Sequence, residues 1–112
     1  IFVSLHCNSA ESTSASGIET YYYVNSDNKY DKELATNIQT AVIKATGAKS
    51  RGVKSANFSV LRNSVIPAAL IEMGFISNPS EAELLNDKAY QSKIAKGVTN
   101  GIVAFLQKYD LL

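Results

Sequence analysis

The sequence predicts an α/β fold. Three observations carry that prediction: β-rich runs at residues 1–6 and 18–24, an apolar run Ala68-Ala69-Leu70-Ile71 between Pro67 and Gly74, and two long stripes of apolar residues at four-residue spacing. Runs this short with flanking Pro and Gly read as strands, and the stripes read as amphipathic helices. Strand, helix and second buried strand, in that order, predict a right-handed parallel crossover that ends near Ala68.

IFVSLH, residues 1–6, opens the chain as a strand. Alternation places Phe2, Ser4 and His6 on one face and Val3, Leu5 and Cys7 on the other. That separation argues against a Cys-His catalytic pair, which needs both groups within hydrogen-bond reach. Cys7 therefore reads as a small core residue. Residues 8–17, NSAESTSASG, have the composition of a loop that leaves directly from His6. IETYYYV follows as a strand, with Tyr21 and Tyr23 on one face and Tyr22 on the other, which suits a strand covered on both sides.

Asn25-Ser26-Asp27-Asn28 is a turn and a helix-capping cluster. Tyr30, Leu34, Ile38 and Val42 then mark a helix to about Ala45, closed by Gly47. Residues 48–57, AKSRGVKSAN, read as a connecting loop in which Lys49, Arg51 and Lys54 surround Gly52. Such a loop is either plainly solvated or locally attractive to an anionic polymer. Phe58 and Leu61 are expected to pack inward ahead of the strand led by Pro67. After that strand, Ser80 with Glu83 makes a capping-box pattern. A further start at Asn86 or Asp87 opens the last helix, with Tyr90, Ile94, Val98, Ile102 and Leu106 as its stripe, widened by Val103 and Phe105.

The candidate functional residues are His6 and Glu72, each where an apolar run gives way to polar residues. A carboxylate at the end of a buried strand needs a partner, and the carboxyl ends of strands in open α/β sheets are where ligand sites gather. Two bland readings remain open: Glu72 reaches solvent or pairs with an Arg such as Arg62, and His6 is a hydrogen-bonded structural residue.

Bulk properties exclude little but bound the answer. The 112 residues make at most one domain, with 46% hydrophobic and 19% charged residues and a formal charge of +1. That balance gives no electrostatic reason to expect nucleic acid, and no apolar run is long enough to cross a bilayer. Cys7, the single cysteine, permits no internal disulfide. The chain begins on a strand-like run without an initiator Met or a signal-peptide pattern, so it is expected to be a piece of something longer.

FVSLHCNS, GIETYYY, FSVLRNSVIPAALIEMGFISNPSEAELL and the closing amphipathic helix, in this order, resemble the later part of a bacterial zinc-dependent N-acetylmuramoyl-L-alanine amidase catalytic domain. The segment ending in IEMGFISN is the most specific, and the likeness covers essentially residues 1–112. The resemblance implies a central mixed sheet flanked by helices, present as an incomplete domain that lacks its N-terminal part. It implies a secreted or cell-envelope hydrolase acting on peptidoglycan, cutting the amide between the muramic acid lactyl group and the first L-alanine by zinc-activated water. It matches His6 to a zinc-binding histidine and Glu72 to the catalytic glutamate, whereas Asn8 and Arg62 fall in matching motifs with local structural roles.

Family members take two further zinc ligands, a His and a Glu, from an upstream segment whose residues are absent here. A catalytic zinc usually has three protein ligands, and nothing in the spacing of Glu11 or Glu19 recommends either as a substitute. The isolated residues are thus expected to bind zinc poorly and to be inactive. A non-catalytic relative that binds wall glycopeptide or a partner protein is the alternative function, and a thiol amidase using Cys7 is a third.

Overall fold

The computed structural model describes residues 1–111. In chain order the elements are β1 (Phe2–Asn8), β2 (Ile18–Tyr23), α1 (Tyr30–Thr46), β3 (Ser50–Ala56), α2 (Ser59–Arg62), β4 (Ala68–Phe75), α3 (Pro79–Leu85) and α4 (Lys88–Lys108). The strands form one mixed sheet in the order β1-β4-β2-β3. β1 runs parallel to β4 and β2 parallel to β3, while β2 is antiparallel to β4. The α/β class and the mixed sheet flanked by helices are as expected.

The crossover differs from the expectation in its partner. The helix α1 returns the chain to β3, beside β2, so residues 48–57 hold a strand and not merely a loop. The reason lies in position. β3 closes one edge of the sheet, and an edge strand tolerates Gly, Lys and Arg where an interior one would be apolar. With Val53 as its one large apolar residue, β3 carries little of the signal by which strands are read.

α1 and α4 cover one face. Leu34, Ile38 and Val42 are buried as the stripe predicts, together with Ile18, Ala69, Ile71, Ile94 and Phe105. Gln39 ties helix to sheet inside this layer: it accepts from Thr20 Oγ1 at 2.8 Å and donates to the Ile18 carbonyl at 2.7 Å. Satisfied in this way, a buried amide is tolerated. On α4 the stripe is rotated from Ile102 and Leu106, which are half-buried, toward Gly97, Gly101 and Phe105. A Cβ on Gly101 would sit 2.6 Å from Ile38 Cα, and one on Gly97 would sit 2.7 Å from Val42 Cα, so these glycines let the two helix backbones approach closely.

The other face has a smaller apolar patch at one end. Leu61 and Phe58 pack on Ala68, Leu70, Tyr21 and Tyr23, as expected of the segment before Pro67. Asp31 pins this end by accepting from the Ala68 amide at 2.9 Å. The helix α3 is capped differently from the Ser80/Glu83 expectation: Asn78 accepts from the amides of Ser80 and Glu81, with Pro79 in the first turn. Asn has the required side-chain oxygen and Pro follows it favourably, so the start falls two residues earlier. Asp87 caps α4, as expected. Cys7 is exposed and not in the core, because β1 forms the second edge of the sheet.

Candidate active site

The two sequence candidates stand side by side. His6 on β1 is in register with Glu72 on β4, and Glu72 is in register with Glu19 on β2. Paired residues on neighbouring strands project to the same face, so His6, Glu72 and Glu19 form a row across three strands. This is the face away from α1 and α4, beyond the Leu61 patch.

The members of the row have different surroundings. His6 is exposed, with Nε2 2.9 Å from Ser4 Oγ. Glu72 is 9% exposed, and its Oε2 is buried without a hydrogen-bond partner among the described residues. Arg62 does not supply one, since its guanidinium donates to Asn57 at 2.8 Å. Burial raises the Glu72 carboxyl above its ordinary value; the neighbouring imidazole of His6 opposes the rise and the Glu19 charge adds to it. An orphaned buried acceptor of this kind in a native fold calls for a ligand or a chemical role.

Glu19 is the opposite case, a carboxylate with every need met. It is 3% exposed. Oε1 accepts from Tyr21 Oη at 2.6 Å and Asn8 Nδ2 at 3.1 Å. Oε2 accepts from Lys54 Nζ at 2.6 Å and Arg51 Nε at 2.9 Å. Burial alone would raise its carboxyl, and the bonds from Lys54, Tyr21 and Arg51 outweigh that and leave it lowered. Burial and the bond to Glu19 push the Tyr21 hydroxyl up to about 12, so it remains a proton donor at neutral pH.

Two bulges shape this end of the sheet. Strict alternation would put Arg51 and Lys54 on opposite faces, yet both reach the same oxygen of Glu19. The register slips between Ile18 and Glu19, so that Arg51 is the extra residue opposite them, and Gly52 follows at φ 83°. A matching slip between His6 and Asn8 coincides with Gly74 at φ 145°. It brings Phe75 round to the Glu72 side, where its ring lies 5.0 Å from Arg51 Cζ. Bulges re-aim side chains in this manner and are common beside active sites.

The loop at 9–17 forms part of the rim. It is held by α3 and the turn before it: Glu81 accepts from the amides of Gly17 and Phe75, and Ser77 Oγ accepts from Ala10 N at 3.0 Å. Glu11 stays on the exposed part of this loop. Cys7 faces the helical side, beside Leu5, Met73 and Leu85. Burial and the Glu72 charge push its thiol up, which leaves little thiolate for nucleophilic work. A cavity of about 620 Å³ between the outer flanks of α1 and α4 is lined by Lys44, Lys93 and Lys96, away from this row.

His6 offers an imidazole next to an unpartnered carboxylate, which suits one ligand and an adjacent base. Among the described residues no three His, Cys, Asp or Glu side chains are grouped to hold an ion, and Glu19 is already engaged by two cations. These residues fit part of a zinc site and do not complete one.

Sequence reasoning did not single out Glu19. With β2 taken as parallel to β4, Glu19 would lie at the far end of the sheet; antiparallel pairing brings it level with Glu72. Its parity with Tyr21 and Tyr23, on the face opposite Tyr22, was the available signal.

Comparison with known proteins gives the context of this geometry. The family profile described as N-acetylmuramoyl-L-alanine amidase matches residues 1–104. The N-acetylmuramoyl-L-alanine amidase LytC of Bacillus subtilis is 37% identical over 105 residues, which cover 94% of this chain and 21% of that protein. YqiI of the same organism is 39% identical over 94% of this chain and 50% of its own length. The crystal structure of an N-acetylmuramoyl-L-alanine amidase from Clostridium difficile 630 superposes with a TM-score of 0.90 at 37% identity, covering 94% of this chain and 56% of that one. The CwlD amidase from Clostridioides difficile, solved in complex with the GerS lipoprotein, superposes with a TM-score of 0.88 at 36% identity, covering 95% of this chain and 54% of that one. The chain thus spans half or less of the curated relatives named here, and somewhat more than half of the solved ones. With the matched residues running through every strand and most of α4, the chain belongs to the N-acetylmuramoyl-L-alanine amidase family.

Proposed function

We propose that these residues are the later part of one catalytic domain that hydrolyses the amide between N-acetylmuramic acid and L-alanine in peptidoglycan, with Glu72 as general acid-base and His6 as a zinc ligand. The observation that supports this best is the Glu72 carboxylate: one oxygen buried and, among the described residues, unpartnered, beside an exposed imidazole, away from the Leu61 end of the sheet face. A zinc held there would supply a Lewis acid for the amide carbonyl and would acidify water.

The chain's own residues do the rest. The free Oε2 of Glu72 accepts a hydrogen bond from water, takes its proton as the water attacks the carbonyl carbon, and delivers that proton to the departing amine nitrogen. Burial suits the carboxyl to this work by keeping its proton affinity above that of a solvated glutamate. His6 is placed on the exposed side of the row, where a ligand nitrogen can be reached by a metal also bound from outside the described residues. The remaining zinc ligands are assigned to an upstream segment of the same domain, and residues 1–112 alone are expected to bind zinc weakly and to lack activity.

The setting is inferred from the relatives, one of which is named a probable cell wall amidase. We assign this chain to a secreted or cell-envelope protein with peptidoglycan as its partner. No described helix is long and apolar enough to cross a membrane. The test is release of stem peptides from purified peptidoglycan by the complete protein, with and without a chelator, compared with Glu72→Ala. Loss of release in both treatments supports the reading. Undiminished release by Glu72→Ala removes Glu72 from the mechanism, and tight binding to peptidoglycan without hydrolysis by the intact protein favours a non-catalytic relative.

A further inference from the structure

The cluster around Glu19 holds more positive charge than Glu19 needs. One carboxylate is met by two cations on a single oxygen, and its other oxygen is met by Tyr21 and Asn8. A single cation with these hydrogen bonds would satisfy a buried carboxylate, so the group carries a net charge of +1. Neither cation is used up. Lys54 is 41% exposed and commits one of its three N–H donors to Glu19. Arg51 is 30% exposed, and among the described residues its Nη2 has no partner while Nη1 donates to the Ser16 carbonyl at 3.3 Å.

The placement of the two cations is built. Arg51 reaches this face through the bulge at Gly52, and its guanidinium lies over the Phe75 ring that the Gly74 bulge brings across. The cation-π contact with Phe75 and the Glu19 bond together hold the guanidinium in place, and its planar fork suits an oxyanion with two acceptor atoms. Glu19 thus acts as a buried strut for two donors that face outward.

We propose that Arg51 and Lys54, gathered by Glu19, form a carboxylate-binding subsite that holds an acidic group on the peptide side of the bond cleaved beside Glu72. This rests on the hydrolase reading above and adds to it a preference among peptides. β3 lies two strand spacings from β4, roughly 10 Å. A peptide advances about 3.5 Å per residue, so an acid on the second residue of the stem lies about 7 Å from the scissile amide. The length of the Lys54 side chain covers the difference. The selected substrate class is therefore a muramoyl peptide whose second residue bears a free carboxylate, in preference to the corresponding carboxamide.

The test uses the complete protein and two synthetic N-acetylmuramoyl dipeptides that differ only in a carboxylate or carboxamide at the second residue. Affinity is measured on the Glu72→Gln background and turnover on the unsubstituted protein. The expected result is about tenfold tighter binding of the carboxylate peptide, a preference that shrinks at high salt, falls to near unity in Lys54→Met and returns in Lys54→Arg. Equal affinity for the two peptides, or a preference unchanged by Lys54→Met in a protein that still folds, overturns the subsite. Discrimination in binding without turnover of either peptide upholds the subsite and overturns the hydrolase reading instead.

Discussion

The two faces of the sheet are made by alternate residues of the same strands, and they solve opposite problems. Toward α1 and α4, Ile18, Ala69 and Ile71 are fully buried in one continuous apolar layer, and the glycines of α4 bring helix against helix. Toward the other side, one residue along in each strand, stand His6, Glu72 and Glu19, with an apolar cover confined to the Leu61 end. The first face gains its stability from burial of apolar area. The second contains a desolvated carboxylate, one oxygen of which has no partner among the described residues. A stable face allows the other to keep an unfavourable group where chemistry needs it.

The largest effect should come from severing this division at Glu72. In the complete protein Glu72→Gln is expected to lower peptidoglycan hydrolysis by about three orders of magnitude and to raise folding stability by about 1 kcal/mol, read from turnover and from urea unfolding of the same sample. The gain has a definite sign: a buried carboxyl whose folded pKa is raised penalises the fold at neutral pH, and the neutral amide removes that penalty.

On the helical face Gly101→Ala sets two effects against each other. Ala favours a helix over Gly by about 1 kcal/mol, but its Cβ would meet backbone atoms of α1, 2.6 Å from Ile38 Cα, and overpacking of this kind costs about 1–3 kcal/mol. The clash should win, because backbone cannot turn aside as a side chain can. A net loss of about 1 kcal/mol in chemical denaturation is expected, with catalysis per folded molecule unchanged.

Acid should distinguish the two glutamates. The folded-state pKa of Glu19 is lowered from 4.5, so its contribution is complete above the unfolded value and is lost as pH falls below it. Glu19→Gln should flatten the stability profile in that acid range, by an amount of order 1 kcal/mol given how exposed Lys54 and Arg51 are. A profile identical to that of the unsubstituted protein would show that the ion pairs do not contribute in solution. The smallest effect is expected at Cys7, on the helical side of the edge strand: Cys7→Ser should leave hydrolysis and its sensitivity to chelator as they were, and a large loss would revive thiol chemistry.

Much of this organisation was legible in the residues. The stripe Leu34, Ile38, Val42 specified α1, and alternation in FVSLHC correctly separated His6 from Cys7. His6 and Glu72 were expected to close their strands; β1 and β4 instead run on to Asn8 and Phe75, and the two residues pair in register inside them. The parts that escaped were those where local pattern is weakest. β3 is polar because it is an edge, so its strand character comes from the ladder with β2 more than from its own side chains. Losing β3 misassigned the crossover, and that in turn sent Glu19 to the wrong end. The bulges at Gly52 and Gly74 shift parity by one, so counting by twos from Lys54 or Glu72 misplaces Arg51 and Phe75. On α4 Phe105 is buried as expected, whereas the half-buried Ile102 and Leu106 yield to Gly97 and Gly101, since close helix contact selects small residues that a hydrophobic count passes over.

Among the described residues β1 has a neighbour along one flank only. Its outward row of amides and carbonyls, with Phe2 and Leu5 exposed beside it, is the kind of surface that templates pairing with another strand. Prepared by themselves, residues 1–112 should therefore stick to one another as concentration rises, and their handling in dilute solution will be governed by that raw margin well before any question of turnover arises.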